Sequence, residues 1–415
     1  MNIYAMIILG ALILDFILSN IADVLNLKHM KTNLPEEFGG FYDEEKYRRS
    51  QQYTKVNTRF GFITDIFDLT IILLFWFSGG FNWLDQLVRL WNLPEIWTGV
   101  CYIGILMSAK IILSLPFSIY ATFVIEERFG FNKTTPLTFI LDRLKGLALS
   151  LLLGVPVLAL ILFIFQNLGE FAWLYGWIAV TAFSLFISYI APTWILPLFN
   201  KFEPLDDEEL SNQIFDYAES VDYSLAGVYK MDGSKRSSKS NAFFTGFGKN
   251  KRIALFDTLI EKHSIPELVT ILAHEIGHYK KKHIIQGLVL GILQTGIMFY
   301  LLSIFLNHDG LFSAFYMEEK SVYAGLIFFG MLFSPIEFFT SIGLNLLSRH
   351  NEYQADQYAC ETTKDSDSMI VALKKLTVNN LSNLTPHPFY VFLNYSHPPV
   401  LQRIHAIRGL ESSHE

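Results

Sequence analysis

Seven stretches of about 20 apolar residues constrain this chain more than any motif it carries, because a segment of that length and polarity matches the hydrocarbon thickness of a bilayer. They lie at roughly 4–26, 60–82, 96–118, 146–166, 172–199, 284–306 and 321–347. The fourth, Gly146 to Gln166, carries no charge at all. With 51% hydrophobic residues and a mean hydropathy of +0.33, the chain falls outside the range of an ordinary soluble protein. The first stretch contains Asp15 and lacks a basic leader, so it is expected to remain as a span rather than to be cleaved as a signal.

Lys and Arg orient such a protein, since they accumulate in the loops on the inner face. Of 32 basic residues, seven lie in 27–59, three in 119–144, twelve in 201–283 and six in 347–415. The segments 83–95, 167–171 and 307–320 hold Arg89 and Lys320 between them. The alternation predicts an outer N-terminus, an inner C-terminus and both large polar segments on the cytoplasmic face. The 27–59 loop is expected to lie along the inner surface as one or two helices. A net charge of −7 gives no reason to expect a nucleic-acid partner, so the basic loops answer to topology and anionic lipid. Cys101 and Cys360 are too few for a disulfide framework and are expected to be reduced.

The chemistry is concentrated at 274–278, which reads His-Glu-Ile-Gly-His. Histidines four apart on a helix share one face and can grip one metal ion. Glu275 then stands beside the metal, where it can take a proton from water attacking a carbonyl. Ser264 and Glu267 have capping-box spacing, Pro266 suits a first turn, and Leu268, Ile271, Leu272 and Ile276 carry helical periodicity into the motif. The pattern predicts zinc-assisted peptide hydrolysis. A catalytic zinc takes three protein ligands and leaves one position for water.

Glu352 is the candidate third ligand, and Asp356, one turn later, is placed to hydrogen-bond the outer nitrogen of a ligating histidine. Taken alone, these two acids read as a solvated helical face; taken with the histidine pair, they read as the rest of a metal site. Topology tests the idea independently. The 274–278 segment precedes the sixth span and Glu352 follows the seventh, which returns both to one side of the membrane.

Further along, Asn241 to Thr245 and Arg252 to Phe256 read as strands around a turn at Gly246 to Asn250. An edge strand beside a protease site can pair with an extended substrate, although Asn241 suits a plain strand start equally well. His397, in a rigid Pro-flanked turn, and Arg403 are candidates to stabilise a tetrahedral oxyanion. Asp15, Asp65, Asp68, Lys110 and Glu337 fall inside spans, where charge is costly. Lys110 is expected in an ion pair with one of the acids, or facing an internal water-filled cavity.

Several segments, in order, give the chain a family likeness: Glu126 to Thr135, Leu196 to Leu205, the stretch beginning Asn241-Ala-Phe, the 274–278 helix, Ser348 to Asp356, and Ser396 to Pro399 with Arg403. The chain resembles the type I CAAX prenyl proteases, integral-membrane zinc metallopeptidases. The resemblance implies a mainly α, polytopic membrane fold. Seven transmembrane helices would form a barrel around a water-filled chamber, capped by a metalloprotease domain with a small β-sheet. It also implies one Zn2+ per chain on His274, His278 and Glu352, with Glu275 as base and Asp356 as support. Asn241 and Ala242 become substrate-strand contacts, and His397 and Arg403 substrate or transition-state contacts. Eukaryotic members remove the last three residues of prenylated proteins ending in Cys-aliphatic-aliphatic-X.

These readings divide the chain into a membrane region of five spans (1–200), a first protease half (201–283), a membrane hairpin (284–347) and a second protease half (348–415). The expected partners are a peptide or protein substrate, C-terminally prenylated or not, and membrane lipid. A monomer is a sufficient unit, with the oligomeric state left open. The expected location is the endoplasmic-reticulum membrane of a eukaryote or the inner membrane of a bacterium. A quality-control protease with no prenyl requirement shares the same catalytic residues and stays open. The remaining alternative is a non-catalytic membrane protein stabilised by zinc, which fits poorly with a three-ligand site beside an intact Glu275.

Overall fold

The structure is a computed structural model that describes residues 1–245 and 252–412; the turn expected at Gly246 to Asn250 lies outside them. Seven helices are long and apolar enough to cross a membrane: Ile3–His29, Glu44–Phe77, Glu95–Glu126, Pro136–Asn167, Gly169–Phe199, His283–Phe305 and Val322–Thr363. All seven expected spans are therefore present.

Two of these helices run well past their apolar stretch, and both extensions help to build the site. The second begins at Glu44, with the Asp43 carboxylate accepting from the Lys46 amide. Residues 44–59 were expected on the membrane surface and are instead the first turns of the second span. They contain no Gly or Pro, so nothing interrupts propagation into the apolar run. The seventh extends for 42 residues to Thr363 and ends where Lys364 takes φ +55°. Glu352 and Asp356 thus stand on the rigid continuation of a span, not on a separate helix.

At the ends away from the sheet the spans are closed by an aromatic core that includes Trp76, Phe81, Tyr102, Phe315, Tyr323 and Phe328. Buried Asp85 is held there by Arg89 Nε at 2.8 Å and by the Tyr323 hydroxyl. Nearer the middle, Asp15, Asp65, Asp68 and Lys110 border a cavity of about 520 Å3 between the first three spans. Lys110 Nζ is 2.6 Å from Asp68 Oδ1. Both sequence readings of Lys110 meet here: it is paired, and the pair lines a cavity.

On the other side sits a four-stranded sheet of β1 (Phe202–Pro204), β2 (Gly227–Met231), β3 (Ala242–Thr245) and β4 (Arg252–Phe256), in the order β1-β2-β4-β3. The β3 and β4 pairing is antiparallel, with Ala242 opposite Leu255, while β2 and β4 run parallel. Val228, Ile253 and Leu255 pack against Leu210 and Ile214 of helix Glu208–Ser220 and against Leu268, Ile271 and Leu272 of helix Ile265–Lys280. Each such aliphatic side chain contributes roughly 1.5–3 kcal/mol when fully removed from water. This core is what holds the 274–278 segment still.

Helix Ile265–Lys280 begins with the expected capping box, Ser264 and Glu267 satisfying each other's backbone amides. It crosses the extension of the seventh span at Gly277. A Cβ there would lie 3.2 Å from both the Cα and the carbonyl oxygen of Ala355, and 3.1 Å from the Tyr358 ring. Backbone cannot move aside as a flexible side chain can, so any side chain at 277 has to push the helices apart by a few tenths of an ångström, and a large one by more. Gly277→Leu is expected to force the two helices apart and to abolish stoichiometric metal binding, measured by elemental analysis of detergent-purified protein. Retention of one tightly held metal ion in that variant would contradict the packing argument.

Candidate metal centre

The crossing at Gly277 aims three ligand-type side chains at one point. His274 Nε2 and His278 Nε2 are 3.1 Å apart. Glu352 Oε2 is 3.5 Å from His274 Nε2, and Glu352 Oε1 is 3.3 Å from His278 Nε2. All three ligand atoms lie within 4.8 Å of one another. Glu352 is 3% exposed, and its Oε2 makes no hydrogen bond of good geometry among the described residues. A buried carboxylate with one oxygen towards each imidazole, and one of those oxygens short of a good hydrogen bond, is a donor set suited to a cation.

The outer side of His274 is braced by acid and base together. Its Nδ1 is 2.8 Å from Asp356 Oδ1. Asp356 in turn receives two bonds from Arg403, Nε to Oδ2 at 2.7 Å and Nη2 to Oδ1 at 2.5 Å. Arg403 Nη1 also stands 3.3 Å from Glu352 Oε2. The Arg403 guanidinium is thus paired with both carboxylates, and its side chain is 11% exposed. His397 is exposed, with Nε2 3.3 Å from Glu352 Oε1 and Nδ1 3.0 Å from Ser396 Oγ.

A cavity of about 270 Å3 opens onto this cluster, and Asn241, Ala242, Glu275, His397 and Arg403 all border it with the three ligand-type residues. Glu275 is half-buried, on the cavity side of the helix. Among the described residues β3 has one sheet neighbour, so its other edge is open beside Ala242. The structure therefore brings every sequence-predicted site residue to one place, with Asp356 behind the rest.

Two features of the site escaped the sequence reading. The apolar wall of the cavity is Met369, Leu373 and Leu376, from helix Ser366–Asn379; their three-and-four spacing was a usable signal. The second is what holds the approach to Asn241. Arg236 forms two bonds with Asp142, at 2.7 and 2.9 Å, and Ser238 N donates to Phe131 O at 3.0 Å. Lys239 Nζ is 2.8 Å from Tyr53 Oη and 3.0 Å from Glu126 Oε2. The Glu126 to Thr135 segment is thus the grip by which the membrane helices hold the strand that flanks the site.

In comparisons with known proteins, residues 23–201 match the family described as CAAX prenyl protease N-terminal, five membrane helices, and residues 204–411 match peptidase family M48. The chain belongs to the M48 CAAX prenyl proteases. Among its relatives are the CAAX prenyl protease 1 homolog of Arabidopsis thaliana, 37% identical over 97% of each chain, and CAAX prenyl protease 1 of Saccharomyces cerevisiae, 34% identical over 92% of this chain and 89% of that one. The crystal structure of Ste24p from S. mikatae superposes with a TM-score of 0.91 at 33% identity, covering 98% of this chain and 99% of that one. This M48 protease is accordingly a multi-pass membrane metallopeptidase.

The electrostatics of the M48 site set a pH dependence for loading. Burial opposes charge on His274, but hydrogen bonds to Asp356 and Glu352 outweigh it and push the imidazole up to about 9. Below that pH, without metal, His274 holds a proton that a metal must displace. Metal affinity should therefore rise as pH increases towards 9, with release of about one proton per ion near neutrality. Calorimetric titration of the metal-free protein with Zn2+ in two buffers of different ionisation enthalpy measures this; binding with no proton release would refute it.

Proposed function

We propose that the protein is a zinc endopeptidase that trims C-terminally prenylated proteins at the cytoplasmic face of its membrane. The observation that carries the reading is the convergence of His274, His278 and Glu352 beside Glu275 in one cavity. Zinc with imidazole and carboxylate ligands at about 2.0–2.1 Å in a tetrahedron needs ligand atoms about 3.3 Å apart. The two imidazole nitrogens are 3.1 Å apart, the Glu352 carboxylate reaches them through different oxygens at 3.5 and 3.3 Å, and with one atom from each residue all three lie within 4.8 Å, spacings of the size the ion needs. The residues present fit the ion.

Bound there, zinc supplies Lewis acidity for a peptide carbonyl and for an attacking water. Glu275 takes the proton of that water and delivers it to the leaving amine. Asp356 keeps His274 in the tautomer that leaves Nε2 free for the metal, and Arg403 fixes Asp356 and the free end of Glu352. The open edge of β3, with Asn241 and Ala242, receives the extended substrate through main-chain hydrogen bonds. His397, exposed at the cavity and 3.3 Å from the Glu352 carboxylate, is an accessible donor for charge developing on the scissile oxygen.

The boundary near residue 200 is supported by where the two family matches meet, between residues 201 and 204, and the hairpin that splits the protease domain by the apolar helices His283–Phe305 and Val322–Thr363. The charged cavity between the first three spans supports a hydrated chamber among the helices. The prenylated substrate follows the names of the relatives. The basic-loop asymmetry supports a cytoplasmic active site.

Glu275→Gln is expected to retain one zinc per chain while lowering peptide cleavage by roughly 10²–10⁴-fold. Elemental analysis and mass spectrometry of the products check the two halves separately, and near-normal cleavage by that variant defeats the mechanism. Loss of the C-terminal tripeptide from a farnesylated substrate, with slower cutting of the unmodified peptide, is the expected specificity. Equal cleavage of both peptides would remove the prenyl requirement and leave the peptidase.

A further inference from the structure

Among the described residues no carboxylate meets the outer nitrogen of His278, unlike that of His274, and what stands there instead is a chain of imidazole and amide groups. His278 Nδ1 is 3.0 Å from His283 Nδ1. His283 Nε2 is 2.9 Å from Gln354 Oε1, and Gln354 Nε2 is 3.1 Å from His350 Nε2. His283 is 9% exposed, and His350 at the far end is exposed.

We infer that His283 is the positioning residue for His278: it accepts the Nδ1–H of that ligand and passes the hydrogen-bond polarity on to Gln354. The inference rests on the metal-site reading above and deepens it. The direction of every proton follows from one constraint. His278 Nε2 faces His274 and Glu352, so as a ligand it presents a lone pair there, and the ring proton of the neutral imidazole sits on Nδ1. Two nitrogens 3.0 Å apart can share only one proton, so His283 Nδ1 is the acceptor. His283 then carries its own proton on Nε2, which donates to the Gln354 amide oxygen. The amide nitrogen of Gln354 is left to donate to His350. Each link has one donor and one acceptor, and all run the same way. The opposite polarity would place a proton on His278 Nε2, pointing into the ligand cluster, where it would exclude a metal.

The fold builds this contact deliberately. On one unbroken helix, residues five apart are separated by about 140° and cannot meet. Helix Ile265–Lys280 ends at Lys281, Lys282 takes φ +63°, and the sixth span starts at His283. A lysine in the left-handed region is strained, and here the reversal turns His283 back against His278. The two ligand histidines thereby receive different support, an anionic acceptor for His274 and a neutral one for His278. The neutral relay orients the second imidazole without adding another negative charge beside Glu352, Asp356 and Glu275.

The test is zinc affinity of the full-length protein in detergent, by competition with a chromophoric chelator, with no activity measurement involved. His283→Phe keeps the ring volume and removes both nitrogens, and is expected to weaken zinc about 10–100-fold. His283→Asn places an oxygen acceptor near the old Nδ1 and is expected to bind within about threefold of wild type, while Gln354→Leu weakens zinc by less than His283→Phe. Cobalt spectra should show a shifted visible band in His283→Phe and a wild-type band in His283→Asn. Unchanged affinity in His283→Phe overturns the inference, as does equal loss in the Phe and Asn variants, because a merely structural role would not be rescued by an acceptor. Failure of wild type to bind one zinc defeats the metal-site reading instead.

Discussion

One backbone contact governs the protein: the approach of Gly277 to Ala355, where a Cβ on the first would lie 3.2 Å from the main chain of the second. The two histidines lie on either side of that glycine in sequence, and Glu352 lies one turn before the alanine. Bringing the helices to touching distance is therefore what brings imidazole and carboxylate within 3.5 Å. Both partners are rigidly backed. One is pinned by the aliphatic core beneath the sheet, the other is the continuation of a membrane span. A ligand set assembled from two stiff rods needs little reorganisation to accept an ion.

The same economy explains how a hydrolytic site is kept in register with a membrane. The strand flanking the cavity is not free to move with the sheet alone, because the segment leading into it is bonded to Phe131, Asp142, Tyr53 and Glu126. Tyr53 belongs to the extension of the second span, and Glu126 ends the third. The extension of the second span and the end of the third thus brace the β3 side of the cavity, and the extension of the seventh carries Glu352. The protease domain is less a body attached to the membrane region than an arrangement of the ends of its helices.

Around the cluster, charge is balanced by geometry. Arg403 lies between Asp356 and Glu352 and lets two buried carboxylates coexist a few ångströms apart. Arg403 and the exposed His397 both border the cavity.

Much of this was legible in the residues alone. Span number, the helix start at Ser264, the strand pair around Ala254 and the same-side placement of His274 and Glu352 all follow from local rules: apolar length, capping chemistry, alternation and loop charge. The ligand chemistry follows from side-chain type and four-residue spacing. What tertiary structure alone decided are the relations that no local rule encodes. The fit of Gly277 against Ala355 depends on two segments nearly eighty residues apart. The return of His283 to His278 depends on a left-handed turn at Lys282, where a lysine announces nothing of the kind. The two-carboxylate grasp of Arg403 depends on the final helix docking beside the seventh span. Periodicity records which face of an element is buried; it cannot record which partner that face will meet, because the partner is selected by shape and charge only after the elements exist.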